Sequence, residues 1–387
     1  MNIGWQVFLK ELKDALRDRR TLMAVLMSSV MMGPLMLFAL STLVEGMEKR
    51  AEAREVFVAG IDNAPGLRNY LERQTWKVLP APADYERALE RSQLGDPVLV
   101  VAKNFEADLV AGERPLLEIV TSSANQRADG AAGRLEDLVQ GYAREQAGLR
   151  LMVRGVAPML LQPMQVERRD LANPAARAAR LTGMLPFFVL MAVLYGALNA
   201  ALDTTAGERE RGSLEPLLMN PATRLSLVVG KWGAVAAVGM LVAILSSLSF
   251  LPSQMLFKSE QLAALFRYDW PEALAFLGLL LPLAGALAAV LMAIAIRCKT
   301  FKEAQASSTV VVLVVSLLPM LTLFNQDGEK PWHLWVPALA QSTLMSRVLK
   351  GEFISTTDML VPAAACAVLA TVCVVYIARQ FQTTAVR

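Results

Sequence analysis

The sequence predicts a polytopic α-helical membrane protein of six transmembrane helices, with an extracytoplasmic α/β domain inserted after the first of them. Apolar residues fill 55% of 387 positions and the mean hydropathy is +0.40. Charged residues make up only 19%, where a soluble chain of this kind carries about 25%. The apolar residues also fall in runs of the length a helix needs, about 20 residues at about 1.5 Å each, to cross a hydrocarbon layer of about 30 Å. Residues 45–180 break this pattern with a mixed composition rich in Glu, Arg, Asp and Ala.

Residues 1–20 begin the chain as an amphipathic helix. Trp5, Phe8, Leu9, Leu12 and Leu16 recur at helical spacing among Lys10, Glu11, Lys13, Arg17, Arg19 and Arg20. A basic helix of this kind suits the headgroup layer of membrane lipids and also serves as a topology signal. The first span occupies residues 21–44, with no ionisable side chain between Thr21 and Glu45. Its apolar core is about twice that of a secretory leader, about 7–15 residues, so it reads as a retained anchor. Pro34 is placed to kink it.

The insert alternates short β-like runs with helical patterns. Val56–Ile61, Trp76–Leu79, Val98–Ala102, Leu116–Val120 and Gln165–Val166 are expected strands, and residues 66–74, 84–93, 104–111 and 126–154 expected helices. Such alternation predicts a substantially parallel sheet in a domain with its own core.

Five further spans follow at residues 181–202, 225–250, 272–296, 305–324 and 358–379, with ionisable groups such as Lys231, Glu272 and Asp358 confined to their ends. Lys and Arg are denser on one side. The N-terminal cluster, Arg209, Arg211, Arg224, Arg297, Lys299, Lys302, Arg379 and Arg387 outweigh Lys258, Arg267, Lys330, Arg347 and Lys350 opposite. The richer side is read as cytoplasmic, which puts both termini inside and the insert outside.

Several classes of function are disfavoured. A net charge of +3 does not indicate a nucleic-acid partner. Cys298, Cys366 and Cys373 all lie outside the insert, so no disulfide framework is indicated there. With one histidine, His333, and neither HExxH nor a CxxC pair, no metal or cofactor site is expected. The sequence lacks GxxxxGK[ST], and Gly230-Lys231 runs into Trp232 at the mouth of a span, so ATP hydrolysis is not expected of this chain. No catalytic Ser/His/Asp set occurs in the insert, and no polar constellation marks an intramembrane enzyme.

The segment with most mechanism in it is residues 203–224. Gly207-Glu208-Arg209-Glu210-Arg211-Gly212-Ser213-Leu214-Glu215-Pro216-Leu217-Leu218 sets Leu214, Leu217 and Leu218 beside carboxylates. An amphipathic segment of this kind can dock in a groove of a cytoplasmic partner; a charged loop capping two helices has the same composition. The stretch resembles the signature of type-2 ATP-binding-cassette (ABC) exporter permeases, in the subgroup of NatB-type sodium, drug and lipid exporters. Lys10-Glu11-Leu12 with Arg17-Asp18-Arg19-Arg20, Gly230-Lys231, Lys302-Glu303-Ala304-Gln305, and Pro337 with Leu349-Lys350-Gly351-Glu352 match in order, so the resemblance covers essentially the whole chain.

The resemblance implies a half-transporter in the bacterial inner membrane. It would pair with a second permease copy, identical or not, and with cytoplasmic ATPase subunits that bind the ATP and magnesium. Residues 2–19 would be an interfacial elbow helix carrying Trp5, Phe8, Lys10, Glu11, Leu12 and Arg17, with Arg19 and Arg20 following. Glu208, Arg209, Glu210, Arg211, Gly212, Leu214, Glu215, Leu217 and Leu218 would form the ATPase-coupling segment. The outer loop 325–357 would hold short re-entrant helices at Trp332–Val348, with His333 as an interfacial belt residue between Trp332 and Trp335. The absence of mid-span carboxylates favours an amphiphile over an ion such as sodium as cargo. The insert could gate exit, bind the cargo's polar part or engage a periplasmic adaptor. The competing expectation is a membrane-anchored sensor or scaffold with a ligand-binding α/β domain, but the 203–224 connection is too short for an output module.

Overall fold

The computed structural model describes residues 3–17, 19–161, 164, 167, 169, 171–213, 216, 222–258, 263, 266, 268–324 and 329–384. They divide into two units, Met1–Glu45 with Leu171–Arg387 and, separately, Gly46–Asp170.

In the first unit, α1 (Ile3–Arg17) is amphipathic, burying Val7 and Glu11 while Trp5, Leu9 and Leu16 stay exposed. α2 (Arg19–Ala53) carries Pro34 inside it and belongs to this unit through Glu45. After the second unit come α7 (Pro174–Thr182), α8 (Leu185–Leu202), α9 (Arg224–Ser253), α10 (Trp270–Ala295), α11 (Phe301–Phe324), α12 (Leu339–Leu349) and α13 (Thr356–Thr384). Local chemistry sets several starts. Asn173 and Thr223 accept backbone N–H bonds from Ala176 and Ser226 at the heads of α7 and α9. The Glu272 carboxylate accepts from Asp269 N–H at the head of α10, 2.9 Å away, and Pro271 sits in its first turn.

Helices α8, α9 and α10 pack on one another and build the apolar centre, where Leu190, Val193, Leu194, Val235, Leu280 and Leu283 are fully buried. Small residues set the approach. A Cβ on Gly196 of α8 would lie 2.8 Å from a Val242 methyl of α9, so only a glycine admits this spacing. α13 lies along α10 and also touches α9, and α11 touches α8 and α10.

Five described helical stretches are long and apolar enough to cross a membrane: Leu185–Glu210, Arg224–Leu256, Trp270–Ala295, Phe301–Met320 and Thr356–Phe381. The chain is thus a multi-pass helical membrane protein. The first expected span, 21–44, falls within α2, whose described apolar stretch is the shorter Gly33–Gly46. The loop expected at 325–357 carries a 3₁₀ turn at Pro331–Trp335 and then α12, packed on α7, α8, α10 and α11 with residues 339–345 buried. His333 departs from the belt reading. Trp332 and Trp335 are exposed, but His333 is only 4% exposed, its ring edge-on to Trp332.

The second unit has a four-stranded sheet in the order β2–β1–β3–β4, built from β1 (Glu55–Ala59), β2 (Lys77–Pro80), β3 (Val98–Val101) and β4 (Leu117–Val120). β1 pairs parallel with β2 and β3, and β4 pairs antiparallel with β3. α3 (Pro65–Arg73), α4 (Tyr85–Glu90), α5 (Phe105–Ala111) and α6 (Gln126–Val153) accompany it. Strand alternation feeds two apolar layers. Val56, Val58, Leu99 and Val101 join Leu67, Leu71, Phe105 and Leu135 in one, while Phe57, Ala59, Val98 and Val100 join Leu89 and Ala128 in the other. The unit ends near residue 170 where 180 was expected, because 171 onward groups with the helices around α7. The expected strand Gln165–Val166 lies outside the described residues.

Candidate functional site

At the end of α8 the helix changes register. Asp203–Gly207 is π-helical, and one α-helical turn, Glu208–Glu210, follows. Insertions of this type often mark functional positions. Gly212 then stops the helix in the left-handed region, at φ +68. Ser213 N–H bonds to Glu208 C=O and Gly212 N–H to Arg209 C=O, which is a Schellman ending whose left-handed position suits glycine.

The four charged residues between are all turned on this chain itself. Glu208 is 8% exposed, and its Oε2 accepts from Lys231 Nζ of α9 at 2.6 Å. Arg209 Nη1 donates to the carbonyls of Ile296 and Cys298, at 3.0 and 3.2 Å, just past the end of α10. Cations suit that position because helix C-terminal carbonyls lack donors. Glu210 Oε2 accepts from the first amide of α11, Phe301 N–H, at 2.7 Å, the complementary arrangement at a helix start. Arg211 pairs with Asp203 of the π segment. One short segment therefore grips α9, α10, α11 and its own helix.

Lys231 is the centre of this junction. Its side chain is 0% exposed, and Nζ also donates to Glu11 Oε1 of α1 at 3.1 Å and to Thr204 C=O at 3.0 Å. Lys10 closes the cluster from the rim, 3.0 Å from Glu11, 3.5 Å from Glu208 and 3.7 Å from Asp14. Burial alone would push the Lys10 ammonium down, but the hydrogen bond and charge of Glu11, with Glu208 and Asp14, hold it above its ordinary value. Lys10 and Lys231 balance Glu11 and Glu208 in charge, so the buried groups are mutually compensated. Removing one partner of such a buried set costs about 3–5 kcal/mol, since the remaining charge is stranded.

α1 reaches Glu11 to this point because α9 presents glycines. A Cβ on Gly230 would sit 2.6 Å from Gly4 C=O, and one on Gly233 would sit 3.2 Å from the Phe8 ring. Trp5 stacks on Phe8 at 5.0 Å, and Leu12 packs at the margin of the main core. Arg17 is exposed, while the side chains of Arg19 and Arg20 lie outside the described residues, as do Leu214, Glu215, Leu217 and Leu218. Of the residues expected at the segment and at α1, the structure brings Lys10, Glu11, Glu208, Arg209, Glu210 and Arg211 into one junction. Sequence reading missed Lys231. It reads as a charge at a helix mouth, and two signals were available: the Gly230-Lys231 pair among the matched motifs, and a run with no other charge from Leu225 to Pro252.

A second feature lies along α9, α10 and α13. A groove of about 760 Å³ is lined by Val229, Trp232, Met240, Pro282, Ala370 and Val374, among others. Its polar atoms are already engaged: Trp232 Nε1 donates to Gly285 C=O at 2.8 Å, and Thr371 Oγ1 to Ala367 C=O at 2.7 Å. Among the described residues no group of three or more His, Cys, Asp or Glu side chains is placed to hold a metal ion.

The family model of the ABC-2 family transporter proteins matches residues 5–382. The ABC transporter permease protein NatB of Bacillus subtilis (strain 168) is 26% identical over 352 residues, covering 89% of each chain. No solved structure matches. An amphipathic first helix, a charged segment after α8 that ties together the helix ends, and a family match over nearly its whole length place the chain in the ABC-2 family of transporter proteins, as a permease subunit.

Proposed function

We propose that the chain is the membrane half of an exporter whose segment Glu208–Leu218 receives the stroke of a cytoplasmic ATPase. An ATPase partner is what the permease family implies. The observation that carries the coupling assignment is the junction itself. A contact made at Glu208–Ser213 is one hydrogen bond away from α9, from the α10–α11 connection and, through Lys231, from α1. Force applied there has several helices to act on at once. In this reading α2 supplies a sixth span, both termini are cytoplasmic in a bacterial inner membrane, the α/β unit faces outward, and two permease copies work together.

An amphiphile is the cargo this reading favours. The groove along α9, α10 and α13 offers apolar walls and polar atoms that already have partners, which suits a hydrocarbon chain. An unpaired ion in such a site would lack ligands, and burying it is costly. Sodium would need a site of backbone carbonyls instead.

Two measurements test the proposal. The tagged chain should co-purify with an ATPase from its native membrane, and a photo-crosslinker at Ser213, which is exposed, should capture that subunit. Capture of the ATPase only from positions at the opposite helix ends, such as Met255, would sink the coupling assignment. For cargo, a fluorescent single-chain lysophospholipid should stimulate ATP hydrolysis by the reconstituted complex. Stimulation by sodium alone would reverse the preference.

A further inference from the structure

We infer that Lys231 pins α1, the Glu208 turn and α9 into one rigid lever, so that a push on the turn moves α1 and α9 together. The inference rests on the reading of the chain as an ATPase-driven permease and adds which parts travel as one body.

The stoichiometry of the bonds makes the case. An ammonium has three N–H donors, and those of Lys231 have three acceptors from three places: Glu11 on α1, Glu208 on the turn, and the Thr204 carbonyl in the π segment. The side chain is wholly buried, so no water stands ready to replace an acceptor that withdraws. Lys10 ties the same two carboxylates from the outside, which closes the ring. Nor can α1 slide. The Gly4 carbonyl lies against the Cα of Gly230, and an added Cβ there would meet Val7 at 2.8 Å as well.

The grip on the other two helices is different in kind. Arg209 and Glu210 reach backbone groups of the α10–α11 connection through hydrogen bonds outside the sealed cluster, with Glu210 and Phe301 N–H meeting at an exposed position. The exposed Glu210 bond can break and re-form with water as a substitute partner. The lever of α1, turn and α9 is therefore the stiff member of the junction, and the α10–α11 connection is where relative motion is least costly.

A disulfide supplies the test. A Cβ built on Gly4 stands 3.7 Å from the Ser226 Cβ, close to the usual disulfide spacing of about 3.8 Å. The Gly4→Cys/Ser226→Cys pair, with the native cysteines replaced, thus locks α1 to α9 in place. The full complex with its ATPase is reconstituted in lipid nanodiscs, and Met255→Cys, at the far end of α9 and 89% exposed, reports motion by its maleimide labelling rate with and without ATP. The oxidised pair should keep the ATP-dependent change in labelling within about twofold of the reduced pair. Lys231→Met should reduce that change at least about fivefold in the assembled complex. The inference is overturned if oxidation abolishes the change and reduction restores it, or if Lys231→Met leaves it intact. Should Lys231→Met fail to assemble, the disulfide arm decides alone. Failure of the unmodified complex to assemble with any ATPase would instead overturn the functional reading and take the lever with it.

Discussion

At the scale of single residues, clearance and desolvation decide outcomes that composition cannot. Gly230 works because a backbone carbonyl, Gly4 C=O, occupies the space a methyl group would need. Backbone cannot rotate away as a side chain can, so Gly230→Ala should displace α1 at a cost of about 1–3 kcal/mol, the usual penalty of overpacking. Tryptic cleavage at Lys10 and Lys13 in detergent should quicken at least about fivefold, and an unchanged cleavage rate would refute the packing argument. Tyr142 presents the opposite case, a polar atom with nothing to bond. Its ring is 3% exposed, and its hydroxyl lacks a hydrogen-bond partner. Burial first, and then the nearby Glu106 charge, push its pKa from 10.0 up to about 12. An acid with a raised folded-state pKa keeps its proton longer than the unfolded chain does. Its contribution to stability is therefore full below pH 10 and is lost as pH rises from 10 through about 12. Subtracting Tyr142→Phe from wild type should give an absorbance step at 295 nm centred near 12 in folded protein and near 10 in denaturant. A folded midpoint near 10 would contradict the burial.

At the scale of elements, the order of strands and helices was legible because period and punctuation agreed. The parallel strands Glu55–Ala59 and Val98–Val101 are apolar on both faces, and the helix that follows each opens at Pro65 and beside Asn104 respectively. The long helices were legible from length alone. What the sequence left unresolved were partners across distance. Arg209 and Glu210 carry no mark that one answers the end of α10 and the other the start of α11, since both helix ends lie about 90 residues further on. Leu12 and Phe8 were readable as an apolar stripe, but Glu11 within that helix gave no hint of burial, because its counter-charge, Lys231, is 220 positions away. His333 misled for a related reason. Flanking tryptophans suggested an interface, whereas the 3₁₀ turn rotates the imidazole inward and leaves the indoles out. The α10–α11 connection gives this scale its own prediction. Arg209→Ala strands the carbonyls of Ile296 and Cys298, a loss of about 1.5–3 kcal/mol for bonds from a charged donor. Cys298, 4% exposed, should then react with maleimide about tenfold or more faster, and an unaltered rate would show that Arg209 does not hold the connection closed.

At the scale of the whole molecule, the arrangement has two chemically different ends. Around the junction, α1, the Glu208 turn and the α10–α11 connection gather Lys10, Lys231, Arg209, Arg211 and Arg297 within one set of helix termini. At the other termini stand the 3₁₀ turn with its exposed Trp332 and Trp335, α12, and the Arg347 side chain paired with Glu329 and Asp358. Basic residues in short connections are retained on the cytoplasmic side of a membrane, and the effect is counted over Lys and Arg rather than net charge. The proposed orientation thus follows from which end is the more basic, independently of any partner. It fixes where single cysteines must react in intact cells of a cysteine-free variant. Ser213→Cys, exposed beside the junction, should be shielded from a membrane-impermeant maleimide until the membrane is opened. Met255→Cys and Phe353→Cys, at 89% and 91% exposure on the opposite ends, should react at once. Reversal of that pattern would place the Glu208 turn outside, beyond the reach of any cytoplasmic ATPase, and the proposed stroke would have nothing to drive it.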